Sequence, residues 1–181
     1  MRRLMISDFL LKSLRRFLIK NHLKTSKPRF LISAITSKRI LAKKLAGFLF
    51  QFPPSLHNNH ENLIWLNENL PQNFLIVAEF RHISWWNEEV FKIFKDKKWT
   101  FSETSFPGKL PEEIIITNPN IGYYRLHGKP TLYKSQYSED FLNDLSGKVR
   151  DKKTEFFIMF NNTWGTAAAE NSLYLKKILY K

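Results

Sequence analysis

The stretch FLIVAEFRHISWW, residues 74–86, decides how the rest of this sequence is read. Its first seven residues form an apolar run of the kind that becomes a strand buried on both faces, and polar groups gather only towards its far end. Glu79 and Arg81 are two apart, so on a strand they point to the same side. A strand that ends in such groups and runs directly into a helix is the unit from which a (β/α) barrel builds its active site, at the carboxyl ends of several strands.

Two later stretches repeat the arrangement. IGYYRLHG at 121–128 brings Arg125 and His127 to one side of a strand end, and EFFIMFNNTWGTAAAEN at 155–171 ends its apolar run in Asn161 and Asn162. An earlier one, LAGFLFQFPPS at 45–55, runs a buried strand into Gln51 and a Pro-Pro pair. Apolar runs bounded by turn residues predict five strands, at 47–52, 74–80, 98–103, 121–127 and 155–161. Helical spacing predicts helices at 60–70, after Ser84 with that serine as a candidate N-cap, after Ser138 with that serine as a simple N-cap, and at about 165–179. Pro107, Gly108 and Pro111 predict a loop at 104–113. The alternation of strand and helix predicts parallel strands with crossover helices.

The strand-end residues suggest a binding chemistry. Arg81 and Arg125 suit bidentate contact with a carboxylate or phosphate. Glu79 beside Arg81 is expected to act as a hydrogen-bond acceptor or base in preference to an acid, and the two residues can also simply pair with each other. His127 could move a proton near neutral pH or serve as a structural histidine. Asn161 and Asn162 are adjacent, so only one can point inward, where its amide could read a hydroxyl. Gln51 sits at the analogous place on the first strand, where it could contact the ligand or bond backbone across the barrel, the second being the simpler reading. Trp85, Trp86 and Trp164 follow strand ends and offer faces for stacking on a sugar or base, with core packing accounting for at least one of them. Glu79 and His127 alone do not fill a metal coordination shell, so no metal is expected. A glycosidase would need a second carboxylate opposite Glu79, and only Glu103 is available, with its direction open. No GxSxG, GxxxxGK[ST] or GxGxxG pattern occurs, so serine hydrolase, P-loop and dinucleotide readings lack support and no cofactor is implied.

The four motifs LAGFLFQFPPS, AEFRHISWW, YYRLHG and FNNTWGTAAAEN, in this order and spacing, resemble the YecE-like family, also called domain of unknown function 72. The resemblance covers about residues 41 to 181 and implies a TIM-barrel fold with a pocket at the strand carboxyl ends, without implying a reaction. It also implies that the five strands correspond to strands four to eight. Eight-fold barrels typically need about 250 residues, and this chain has 181. The expectation is an incomplete barrel in residues 45–181, the C-terminal part of a truncated protein, with residues 1–44 as a basic, helical leader in place of the first units. Exposed sheet edges in such a fold would invite self-association.

Charge separates the same two regions. Residues 1–44 hold 13 Lys or Arg and one acid, Asp8, for +12, which leaves 16 basic and 15 acidic residues elsewhere for +1 of the total +13. Such a leader could touch nucleic acid or an anionic surface, dock on the barrel, or be the remnant of a degenerate, inactive gene product. No run approaches the ~18 apolar residues of a membrane span. Asp8 and Lys12 interrupt any signal-like stretch. The absence of cysteine excludes disulfides and agrees with a cytoplasmic location.

Overall fold

The computed structural model describes residues 47–150 and 153–180, so the expectations placed on residues 1–44 lie outside the described residues. Within the described residues, two compact units divide after Thr100. The order of elements is that of an α/β protein, and every strand pairing within a unit is parallel.

The first unit holds β1 (Phe48–Gln51), α1 (His60–Asn69), β2 (Ile76–Glu79), a 3-10 turn (Ile83–Trp85) and α2 (Glu88–Lys97). β1 pairs with β2 in a register that sets Phe50 beside Ala78 and Gln51 beside Glu79. In-register residues of parallel strands share a face, so the alternation divides the chain into an apolar side and a polar side. The apolar side is aromatic. Phe80 stacks on Phe52 (centroids 4.9 Å) and on Trp85 (4.1 Å), and meets Phe94 of α2 edge-on at 6.0 Å. Fully burying such side chains contributes about 1.5–3 kcal/mol each. The helix after the 3-10 turn is capped by Asn87, whose side chain accepts from Val90 N at 3.1 Å, and not by Ser84 as the sequence suggested. Ser84 lies within the 3-10 turn, where its hydroxyl accepts from Asn58 N at 2.7 Å.

The second unit continues with β3 (Thr100–Ser105, whose first residue closes the first unit), β4 (Ile121–Leu126), α3 (Glu139–Arg150), β5 (Glu155–Phe160) and α4 (Ala167–Leu179). The loop expected at 104–113 therefore begins two residues later. Ser138 does cap α3, accepting from Phe141 N at 3.2 Å. Tyr124, Leu126 and Ile158 pack with Leu142, Leu145 and Leu175 of the helices. Tyr123, Arg125 and Asn161 fall on the opposite side by alternation. Gly122 permits the closest approach in this unit, since a Cβ there would stand 2.4 Å from the Phe156 ring.

Candidate functional site

Each unit presents polar side chains at strand carboxyl ends, on the side away from its helix-facing aromatics. In the first unit Glu79 is fully buried, and Arg81 Nε donates to its Oε1 at 3.1 Å from a side chain 23% exposed. Gln51 Nε2 donates to both Glu79 oxygens at 3.3 Å. Gln51 thus serves a carboxylate, because the β1–β2 register sets it directly beside Glu79. Trp85, expected among the ligand-facing aromatics, is wholly buried, with its indole N–H donating to Leu56 O at 2.8 Å. Its stacking on Phe80 makes it part of the core. Nearby, His57 and His82 stack at 3.7 Å, and His82 Nδ1 lies 2.8 Å from Ser84 Oγ.

In the second unit Arg125 and Asn161 meet. With its amide oxygen turned towards β4, Asn161 accepts from Arg125 Nε and Nη2, both at 3.0 Å. Asn162 points the other way, donating to Ser135 O at 3.1 Å and to Asn171 Oδ1 at 2.9 Å, which resolves which of the adjacent amides shares a face with Arg125. His127 is fully buried, its ring meeting Phe106 edge-on at 5.5 Å and Tyr133 at 6.1 Å. Its backbone N–H donates to Ser105 O at 2.9 Å.

Glu103 sits in register with Tyr124, which faces the helices, so it lies on the side opposite Arg125. There its Oε1 accepts from Ile115 N at 2.6 Å, and burial drives its pKa well above the usual carboxylate range. Burial, then the nearby Glu112 charge, likewise raises the Tyr124 phenol.

Several participants were not anticipated. Glu112 receives Lys129 Nζ at 2.8 Å and Ser105 Oγ at 3.4 Å, and the two Glu residues following Pro111 were the available signal. Asn171 accepts from Tyr137 N at 3.0 Å and donates to Tyr137 O at 2.9 Å, a pairing across 34 residues that no local pattern announces. Among the described residues no group of three His, Asp or Glu side chains is arranged to hold a metal ion. Among the same residues no helix is long and apolar enough to cross a membrane.

Parallel strands alternating with helices, with polar side chains at the strand ends, define a TIM-barrel-like α/β protein. The chain belongs to the family described as Protein of unknown function DUF72, whose model matches residues 8–181. That match starts well before the four motifs and takes in most of the basic leader. The UPF0759 protein YunF of Bacillus subtilis is 28% identical over 76% of this chain, and the match spans 59% of YunF. The crystal structure of a DUF72 family protein from Thermotoga maritima superposes with a TM-score of 0.76 at 28% identity, over 86% of this chain and 66% of that one. A DUF72 family protein from Enterococcus faecalis gives a TM-score of 0.77 at 24% identity, over 90% and 70%, and shares the fold. The chain thus spans less than two thirds of the length of YunF.

Proposed function

We propose that this protein binds a small anionic ligand at the carboxyl ends of its parallel strands, with Arg125 as the charged anchor. The observation that carries the reading is the contact of Arg125 with Asn161, in which one neutral amide oxygen takes both Nε and Nη2 at 3.0 Å. That contact turns a buried guanidinium into a donor of fixed orientation, and guanidinium matches carboxylate or phosphate bidentately. Rigid placement lowers the ordering cost of binding. In the other unit, taken by itself, the Gln51, Glu79 and Arg81 cluster holds a carboxylate with two donors, and Glu79 is the group there suited to accept a proton. The enclosure of His127 between aromatic rings favours a positioning part for it over a proton shuttle.

The test is calorimetric titration of the full chain with inorganic phosphate, small carboxylates and phosphorylated sugars. Binding by at least one anion, weakened roughly tenfold or more in Arg125→Lys because lysine lacks the bidentate fork, is expected. Silence across the panel, or unchanged affinity in that variant, would overturn the reading.

The concentration of +12 in residues 1–44 supports a second reading, nonspecific contact with nucleic acid through the leader. It requires an affinity that falls steeply with salt and that is lost when leader lysines and arginines are replaced by glutamine. Salt-independent binding, or binding untouched by those replacements, would exclude it.

A further inference from the structure

Trp164 lies three residues beyond Asn161, in the loop that leads into α4, and is 68% exposed. Its position is fixed from below. The Trp164 backbone N–H donates to Tyr133 O at 3.0 Å, which ties its loop to the one following β4. Asn162, buried two residues earlier, bonds Ser135 O of that same loop and Asn171 of α4. The loop after β4 carries Lys134, whose Nζ stands over one face of the indole ring, 4.8 Å from its centroid. Tyr133 beside it is 38% exposed. An indole that forgoes burial while its backbone is tied to the loop after β4 offers the face opposite the ammonium as a flat surface.

Two recognition elements of different kind stand together here, a π face and a positive charge. An inorganic anion would leave the indole unused, and a neutral sugar would leave the ammonium unused. A ring that carries a phosphate uses both. We propose that Trp164 and Lys134 form a stacking platform for the base of a free nucleoside phosphate, with the Lys134 ammonium meeting its phosphate. This deepens the anion-binding reading by naming the ligand class, and it rests on that reading for the site's preference for anions.

The experiment is a fluorescence titration of the full chain with adenosine 5′-monophosphate, with adenosine, inorganic phosphate and a short single-stranded oligonucleotide as further arms. Saturable quenching by the nucleotide is expected, weaker with adenosine and absent with phosphate. Trp164→Leu should abolish the quenching, and Lys134→Ala should weaken affinity roughly tenfold, as loss of one stacking or charge contact does. Because Trp164 is exposed, its replacement should leave the melting temperature unchanged. Nucleotide binding that calorimetry finds unaltered in Trp164→Leu would overturn the platform and leave Arg125 as anchor. So would silence of the nucleotide while another anion still binds through Arg125. Saturation by the oligonucleotide without any response to the mononucleotide would assign the surface to a nucleic-acid strand and overturn the free nucleotide. Silence of every anion would remove both readings together.

Discussion

Arg81 reaches back along its own chain to Glu79, Nε to Oε1 at 3.1 Å, so the guanidinium and the wholly buried carboxylate leave the end of β2 as one ion pair. Breaking a buried pair from one side costs about 3–5 kcal/mol, and the partial exposure of Arg81 lowers the expectation to about 2–3 kcal/mol for Arg81→Met. Urea unfolding measures it. The double variant Glu79→Gln with Arg81→Met should recover part of the loss, because no buried charge then stands without its partner.

Glu103 sets a pH dependence. Its folded-state pKa is raised by burial, so its contribution to stability is present below the unfolded carboxylate value of about 4.3 and is lost as pH rises through the folded value. Glu103→Gln keeps an oxygen for Ile115 N and cannot ionise. The variant should therefore be more stable than the native chain at neutral pH, with a flatter profile, when midpoints are compared across pH. A native-like slope in the variant would count against a buried neutral carboxyl.

Gly122→Ala should cost about 1–3 kcal/mol, the usual range for overpacking a filled site. The new methyl would meet Phe156 at 2.4 Å. Adding Phe156→Leu should recover some of the loss, a coupling that a double-mutant cycle reads directly.

Asn171→Ala removes partners from the Tyr137 amide and carbonyl and from the Asn162 side chain. Leaving buried polar groups unsatisfied costs about 1–3 kcal/mol for each. The expected total is about 3 kcal/mol by chemical denaturation, accompanied by faster hydrogen exchange at the Tyr137 amide.

The strands were legible in the sequence to within about two residues, because aromatic and β-branched runs bounded by Pro, Gly and Asn report burial directly. The fold class followed from their alternation with helices. What local pattern could not supply was register. Gln51 finds Glu79 only because the pairing of β1 with β2 sets them side by side, and Glu103 faces the helices only because it pairs with Tyr124. Trp85 follows a strand end much as Trp164 does, yet one is sealed against Phe80 and the other stands in water. The cap at Asn87 was hidden because Ser84 offers an equally good acceptor, and an intervening 3-10 turn delays the helix. Of the strand-end groups, Arg125 and Asn161 were anticipated as residues, and their mutual contact was not.

The amide of Asn171 meets the backbone of Tyr137 through one donor and one acceptor, the same two bonds by which neighbouring strands recognise each other. A helix thereby grips a loop with the grammar of a sheet. Displacing α4 from this loop would strain both bonds at once, so the loop is expected to travel with the helix. Motion in this part of the molecule is expected to be shared, with Tyr133, Lys134 and Trp164 carried as passengers on a single moving part.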